Sequence, residues 1–194
     1  MVGYAAQRVL RFPGSRRPSA LWYSLVAAAL LLMEGCGPSS PQETAVAALP
    51  AGACRAAHVN PTDPQAWEPD MGCTPGATDG GLTLAQLCPV AHTDTVRPPN
   101  SYTSRLKVRQ IREYGFTDSP TAHEEDHLIP LSLGGSPRNP QNLWPEPGNS
   151  PNAKDRVEAA AHAAVCAGRI ELRDAQQRIA VDWYGFGKTL SVIR

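Results

Sequence analysis

The sequence predicts an α+β fold in which a short β-hairpin is followed directly by a helix. Residues 123–133 change from polar to apolar and end at two glycines, and residues 142–144 form a second extended segment after a proline-rich loop. A helix is predicted from Ser150 to about Ala167, because serine is a favourable N-cap and proline at 151 suits the first turn. These three segments predict a two-stranded hairpin with a helix after it.

Two further helices are predicted, one on each side of this unit. Residues 101–114 contain no glycine or proline and are followed by Gly115, which is typical of a helix with a glycine stop. The last helix is predicted from about Glu171 to Trp183. Its apolar stripe consists of Leu172, Ala175, Ile179 and Trp183, which indicates packing against the core.

The chain of 194 residues has room for one modest domain in addition to export and linker segments. It contains 19 prolines and 16 glycines, and ten of the prolines fall between residues 37 and 100. Order is therefore expected mainly in the C-terminal half. We interpret residues 1–35 as a signal peptide, residues 36–85 as a tether that is partly ordered around a disulfide, and residues 86–194 as the functional domain.

An export signal is indicated at the N-terminus. Four arginines precede an apolar run from Ala20 to Met33, which is short for a membrane span. The Gly35-Cys36 pair that follows is similar to the processing site of bacterial lipoproteins, although Glu34 does not fit that site. Lipidation of Cys36 and ordinary cleavage nearby are the two alternatives. The first predicts a lipid-anchored protein of the periplasm or cell envelope, and the second a secreted protein.

The charge of the mature chain excludes a globally basic nucleic-acid clamp. The whole chain has 18 basic and 18 acidic residues, and the first 35 residues contain four arginines and one glutamate. Removing them leaves 14 basic against 17 acidic groups, which is a net charge of about three negative units. Binding of a polyanion would therefore depend on a local patch.

Four cysteines remain when Cys36 is set aside, and an exported protein meets an oxidising compartment. They are Cys54, Cys73, Cys88 and Cys166. Four cysteines allow three pairings, and the spacing favours Cys54 with Cys73 and Cys88 with Cys166. Buried free thiols are the alternative. A zinc site is discounted because the chain contains no Cys-x-x-Cys pair.

Concentrated positive charge is predicted on one face of the helix at 101–114. Arg105, Arg109 and Arg112 are spaced for that face, so they are candidates for contacts with phosphates. A solvated helix face is an equally good interpretation. Lys154, at the start of the later helix, is a further candidate for a contact with nucleic acid.

Four polar residues carry the chemistry of the hairpin and its helix. Asp126 and His127 stand together before an apolar run, Asn142 follows 15 residues later, and Asn152 lies ten residues beyond it. Hydrolysis of a phosphodiester needs a base that activates water, a metal that stabilises charge, and groups that hold both. A carboxylate suits Mg²⁺ or Mn²⁺, an imidazole is a base near neutral pH, and an amide oxygen is a neutral ligand. The set predicts a nuclease that uses one divalent metal ion.

The same residues carry a resemblance to a known family. The HNH nucleases, which have the ββα-metal finger fold, show a pattern similar to Asp126-His127, Asn142-Leu143, Asn152 and Lys154. Over about residues 86–190 the chain looks like a group of small exported bacterial HNH-like proteins. The segments that carry this wider resemblance are Arg97-Pro98-Pro99-Asn100-Ser101-Tyr102-Thr103, Asp126-His127-Leu128-Ile129-Pro130-Leu131 with Gly134-Gly135, Asn142-Leu143-Trp144-Pro145-Glu146-Pro147 and Lys154-Asp155.

The resemblance implies a role for each matching residue. His127 would be the general base that deprotonates water, and Asn142 would orient its ring by a hydrogen bond across the hairpin. Asp126 and Asn152 would ligate the metal. Asp155, one turn from Asn152, is a second candidate for that ligand place or a partner of the helix dipole.

Two departures from the family pattern are visible. Many HNH proteins hold a structural zinc with paired cysteines around this hairpin, whereas here Pro145 and Pro147 follow Asn142. If the fold is right, a disulfide between Cys88 and Cys166 would take over that role and stabilise by about 2–4 kcal/mol. The second departure is asparagine at position 152, where histidine is common. Asparagines also suit turns and helix starts, which is the structural alternative for both of them.

The sequence therefore predicts a monomeric, metal-dependent endonuclease that hydrolyses DNA or RNA with weak sequence preference, because no base-reading module is present. The alternative is a catalytically inactive envelope binding protein with the same fold. The net negative charge and the long tether favour that alternative. A nuclease toxin is a weaker interpretation, since the chain has no delivery or repeat region.

Overall fold

Five helices and four short strands make up the part of the chain that the structure describes, residues 47–89 and 91–194. The structure is a computed structural model. The predicted α+β class is confirmed. The predicted signal peptide at 1–35 and the lipidation site at Cys36 lie outside the described residues. Within those residues, no helix is long and apolar enough to cross a membrane.

The strands, in chain order, are β1 (Ala57–His58), β2 (Trp67–Glu68), β3 (His123–His127) and β4 (Leu143–Pro147). The helices are α1 (Leu84–Leu87), α2 (Ala91–Val96), α3 (Asn100–Glu113), α4 (Ala153–Cys166) and α5 (Leu172–Thr189). β1 pairs with β2 and β3 with β4, each in antiparallel fashion, so the described strands form two separate two-stranded sheets.

The predicted hairpin is formed by β3 and β4, and α4 follows it directly in the chain. The register pairs Asp126 with Trp144 and His127 with Leu143. β3 ends at His127, earlier than predicted, because the chain then enters a 3-10 turn that Gly134 closes with φ of 77°. β4 extends beyond 142–144 although it contains two prolines. A two-stranded sheet accepts them, since each strand has an outer edge without a partner.

The boundaries of two helices agree with the glycine stops. Gly115 has φ of 71° after α3, and Gly168 has φ of 68° after α4, and such left-handed positions favour glycine. α5 continues past the predicted end at Trp183 to Thr189. Its helical geometry is interrupted at Asp182, which has φ of −162° and ψ of 74°.

Residues 47–85 differ from the predicted tether, because they pack against the domain. Cys54 and Ala66 are buried in the core. The backbone amide of Cys54 donates to the carbonyl of Glu113 at 2.9 Å, and Trp183 Nε1 donates to the carbonyl of Trp67 at 2.8 Å. A few isolated contacts and a disulfide hold this segment in place. Such contacts produce no periodic apolar pattern in the sequence, so the sequence did not predict them.

Both disulfides have the pairing that the spacing favoured. Cys54–Cys73 has an S–S distance of 2.11 Å and Cys88–Cys166 one of 2.03 Å. The second bridge spans 78 residues and ties the end of α1 to the end of α4. Disulfides persist in oxidising compartments, so the protein belongs in such an environment.

The core lies where α4 and α5 pack on the hairpin and on the segment that contains β2. Its largest fully buried side chains include Trp144 from β4, Trp183 from α5 and Val157 from α4. The apolar stripe predicted for the last helix is buried at Ala175, Ile179 and Trp183. This packing holds the first turns of α4 against the hairpin.

A pH-dependent contact joins β2 to the interruption in α5. Burial, together with the neighbouring Asp182 carboxylate, raises the pKa of Glu68 to about 7. The folded state therefore holds this proton more tightly than the unfolded chain, whose value is near 4.5. The resulting stabilisation is complete below the unfolded pKa and is lost as the pH rises through the folded pKa.

We expect Glu68→Gln to keep this stabilisation as the pH rises, because a glutamine amide donates to Asp182 at any pH. At about pH 8 the variant should unfold roughly 2–4 °C above the wild type, with little difference at about pH 5. Thermal unfolding at the two pH values measures this. The exposed Glu171→Gln serves as the control. Equal destabilisation of Glu68→Gln at both pH values would contradict the assignment.

Candidate functional site

His127 ends β3 with its ring held at one nitrogen. Its Nε2 lies 3.0 Å from the carbonyl oxygen of Pro137, and the side chain is largely buried. Burial lowers the pKa of His127 below its usual value, and the nearby Asp126 carboxylate opposes that shift. A neutral ring that donates from Nε2 carries its lone pair on Nδ1. Among the described residues, no group bonds to Nδ1.

Asn142 fixes the loop between the two strands and does not touch the His127 ring. Its Oδ1 accepts from the amide of Ile129 at 2.9 Å, and its Nδ2 donates to the carbonyls of Ile129 at 3.0 Å and Ser136 at 3.2 Å. The expected direct hydrogen bond to the ring is therefore wrong. Since Ser136 precedes the Pro137 carbonyl that holds the ring, Asn142 acts on His127 through the loop.

The same loop requires glycine at position 135. A Cβ atom at Gly135 would lie 1.8 Å from the carbonyl oxygen of Ile129 and 2.7 Å from Asn142 Nδ2. No side chain fits that space. The paired glycines predicted to break the strand thus allow the close backbone approach that Asn142 stabilises.

Asp126 is tied to the hairpin and to α4 through one carboxylate oxygen. Its Oδ2 accepts from Trp144 Nε1 at 3.2 Å and lies 2.8 Å from Lys154 Nζ. The side chain is 12 % exposed. In the described part of the chain, Oδ1 has no hydrogen-bond partner, so it remains available to another ligand.

Lys154 is a buried residue, which corrects the expectation that it contacts nucleic acid. Its side chain is 1 % exposed, and Nζ lies 2.8 Å from Asp126, 2.5 Å from Glu158 and 2.9 Å from the carbonyl oxygen of His127. Burial alone would lower the pKa of Lys154, but the charges of Asp126, Glu158 and Glu146 outweigh it and raise the pKa. The ammonium group is therefore charged and inaccessible to a phosphate.

Asn152 caps α4 and has no oxygen lone pair left for a metal. Its Oδ1 accepts from the amides of Lys154 at 2.8 Å and Asp155 at 3.1 Å. Asp155 completes a capping box, because its Oδ2 accepts from the Asn152 amide at 2.7 Å and from Ser150 Oγ at 2.9 Å. The helix-start role weighed in the sequence is the one that the structure gives to Asn152. Its expected role as a metal ligand conflicts with this geometry.

Carboxyl groups outnumber cationic groups around Lys154 in the described residues. Burial, together with the charges of Asp126 and Asp155, raises the pKa of Glu124 to about 7. Burial likewise raises the pKa of Glu146 well above its usual range, again with help from Asp126. An additional cation would reduce the repulsion between these carboxylates.

Two adjoining cavities open on this acidic region. One of about 170 Å³ is lined by Glu124, Asp126, His127 and Asp155. The other, of about 390 Å³, lies between β3 and the N-terminal half of α3. Residues that line both are Arg97, Glu124, Glu125, His127 and Ser150. His127 therefore stands where the two cavities meet.

The predicted arginine stripe does not line these cavities. Arg105 and Arg112 are exposed. Arg109 lies 3.4 Å from Glu113 and borders a separate cavity of about 120 Å³. The face of α3 that lines the larger cavity is polar and consists of Asn100, Thr103, Ser104 and Lys107. Arg97, which the sequence analysis did not single out as a site residue, lies just before that helix.

One Cys/His group has donor atoms within 4.8 Å of one another in the described residues, namely Cys88, His162 and Cys166. Both sulfurs form the disulfide in this structure, so only the His162 nitrogen could act as a ligand. The group could hold a metal only after reduction. Asp126, Glu124 and Asp155 do not converge to that distance as a set of three.

Comparison of the chain with models of protein families, with curated proteins and with solved structures finds no match. The function is therefore argued from the geometry and chemistry of this site.

Proposed function

We propose that the protein is a metal-dependent endonuclease of the HNH type, which hydrolyses phosphodiester bonds of DNA or RNA outside the cytoplasm. The observation that carries the proposal is the environment of His127. Its Nε2 is held by the Pro137 carbonyl, while Nδ1 has no partner in the described residues and the ring lines a polar cavity with Asp126. A general base needs this combination of a fixed ring and an available nitrogen.

The order of elements supports the family assignment. β3, β4 and α4 follow one another as strand, strand and helix, which is the order of the ββα-metal finger. Asp126 and His127 end the first strand, and Asn142 precedes the second. The resemblance places its catalytic residues at these positions.

The residues of the chain divide the chemistry between them. His127 would take a proton from water at Nδ1, since the neutral ring donates from Nε2 to Pro137. Its lowered pKa keeps the ring neutral near neutral pH. Asn142 holds the loop that carries this carbonyl, and Lys154 holds the His127 backbone through the 2.9 Å contact with its oxygen.

The residues fit a hard divalent cation such as Mg²⁺ or Mn²⁺ at Asp126. Oδ1 of Asp126 has no partner in the described chain, and Glu124 and Asp155 line the same cavity. Mg²⁺ is commonly held by one or two carboxylates, with water and substrate phosphates as its other ligands. When bound, such an ion stabilises negative charge on the phosphate and on the leaving oxygen.

Metal dependence is the direct test. Plasmid DNA, single-stranded DNA and RNA should be cleaved in Mg²⁺ or Mn²⁺, and EDTA should abolish cleavage. Asp126→Ala should lower the rate by about 10²-fold or more, because it removes the proposed ligand. Asp174→Ala, at a largely exposed carboxylate on α5, is the matched control. Cleavage that persists both in EDTA and in Asp126→Ala would exclude the proposal.

The alternative is an inactive envelope binding protein, and the ion pair of Asp126 favours it. Lys154 already supplies a cation 2.8 Å from Asp126 Oδ2. If that ammonium satisfies the site, neither Mg²⁺ nor Mn²⁺ should bind. Titration calorimetry of the wild type with both ions distinguishes the two functions, since metal binding that Asp126→Ala removes is expected only for the nuclease.

A further inference from the structure

The larger cavity has one wall of carboxyl groups and one wall that contains two cationic side chains. On the β3 side it is lined by the carboxyl groups of Glu124 and Glu125 and by His127. On the other side are Arg97 and Lys107, with the polar side chains of Asn100, Thr103 and Ser104 between them. A phosphodiester has the charge and the hydrogen-bond acceptors that this second wall would bind.

Arg97 is the cationic side chain that lines both cavities in the described part of the chain. In the described residues its guanidinium makes no hydrogen bond or ion pair, although it borders both cavities. The following Pro98 is buried and Pro99 leads into α3, which restricts the backbone next to Arg97.

Lys107 marks the far end of the same wall. Its Nζ donates to the carbonyl of His123 at 2.8 Å, which fixes the side chain against β3. An ammonium has three donors, so further donors remain for a ligand in the cavity. Asn100, Thr103 and Ser104 lie between the two cations at helical spacing, so the wall is polar along its length.

A buried carboxyl in the cavity wall also lacks a partner. Both carboxyl oxygens of Glu125 are inaccessible to solvent, and neither has a hydrogen-bond partner in the described part of the chain. Buried polar atoms in native proteins are almost always satisfied. Glu125 lines both cavities. A phosphodiester brings only acceptors, so the missing donor would come from a ribose 2′-hydroxyl or from a water held with the bound strand.

We propose that the Arg97 to Lys107 wall is the binding site for the nucleic-acid backbone, with Arg97 on the phosphate beside His127 and Lys107 on a neighbouring phosphate. This inference rests on the proposed nuclease function and names its substrate-binding residues. It replaces the stripe of Arg105, Arg109 and Arg112 as the phosphate-binding surface. Residues in the Arg97-Pro98-Pro99-Asn100 segment thereby gain a role that the catalytic set does not give them.

The test measures, by fluorescence anisotropy, the binding of fluorescein-labelled oligothymidylate and oligouridylate to the purified protein in EDTA. Arg97→Ala should weaken binding roughly ten- to a hundredfold and reduce the dependence of log K on log salt by about one unit. Arg105→Ala and Arg112→Ala are matched controls, since both remove an exposed arginine of α3 that does not line the cavity. They should leave the affinity within about twofold of the wild type.

Arg97→Lys separates charge from geometry, because lysine keeps the charge but loses the forked donors, and it should recover part of the affinity. Equal weakening by Arg97→Ala and Arg105→Ala would overturn the inference, as would the absence of any binding by the wild type at low salt. Binding through Arg97 without cleavage in Mg²⁺ or Mn²⁺ would reject the nuclease and keep the binding site. Cleavage by Arg97→Ala at the wild-type rate would reject the binding site and keep the nuclease.

Discussion

His127→Ala is expected to lower the rate of phosphodiester hydrolysis by about 10²- to 10⁴-fold, the usual contribution of a general base. The ring is the only imidazole that lines both cavities in the described residues, and its Nδ1 has no protein partner there. Removing the ring removes the proton acceptor and leaves Asp126 and the phosphate-binding wall in place. The variant should therefore bind oligonucleotide nearly as tightly as the wild type while cleaving it slowly.

Loss of the ring also leaves the Pro137 carbonyl without its donor, which costs about 1–3 kcal/mol of stability. His127→Gln separates the two effects, because a glutamine amide can donate to that carbonyl but cannot act as a base near neutral pH. Both variants should be compared at saturating substrate, after thermal unfolding has shown that they are folded. His58→Ala, at an exposed histidine of β1, is the control. Wild-type rates in His127→Gln would rule out the assigned role.

The hairpin and its helix were predictable because their signals are local. Paired glycines and the glycines after two helices each act on one or two residues. The start of α4 was predicted only approximately, because the helix begins at Ala153 and its N-cap is Asn152 instead of the predicted Ser150. The close approach that Gly135 allows could not be foreseen, since it depends on where the Ile129 carbonyl lies across the loop. The segment at 47–85 was misjudged for a related reason. Its contacts join residues far apart in sequence, such as Trp67 and Trp183.

The face of α3 that meets the cavity was not identified from the sequence, which left the arginine face open between phosphate contact and solvation. Spacing shows which residues share a face, so Arg105, Arg109 and Arg112 were grouped correctly on one side. Which side turns towards β3 depends on the buried positions, and these are Leu106, Gln110, Ile111 and Glu113. Two of the four are polar, so an apolar stripe does not identify them. The spacing of polar residues at 100, 103, 104 and 107 was the signal that a sequence analysis could have used.

The proposed metal ligands could be predicted only in part from the sequence. Asparagine is both a metal ligand and a helix N-cap, and the choice depends on whether its oxygen faces the helix amides. In α4 it does, so Asn152 is a helix cap, and the proposed metal site relies on the carboxyl groups around Asp126 instead. Those carboxylates come from β3, β4 and α4. Only the folded register brings Glu124 opposite Glu146.

Lys154→Met is expected to cost about 3–5 kcal/mol of unfolding free energy, the usual penalty for removing one partner of a buried ion pair. The ammonium group contacts Asp126 and Glu158 and is 1 % exposed, so no solvent can replace it. Methionine fills a similar volume, and the cost therefore reports the charge and not a cavity. Urea unfolding monitored by tryptophan fluorescence measures the change, and Lys188→Met, at an exposed lysine of α5, should change the stability little.

The double variant Lys154→Met with Glu158→Gln tests the electrostatic reason. Removing one of the carboxylates that lose their counter-ion should recover part of the stability, so the two substitutions should be clearly non-additive. Additive losses would show that Lys154 acts by packing alone. In folded Lys154→Met protein, Asp126 also loses the ammonium 2.8 Å from its Oδ2 and should bind Mn²⁺ more tightly if the two cations compete for that carboxylate. Unchanged or weaker Mn²⁺ affinity would indicate instead that Lys154 positions Asp126 for the metal.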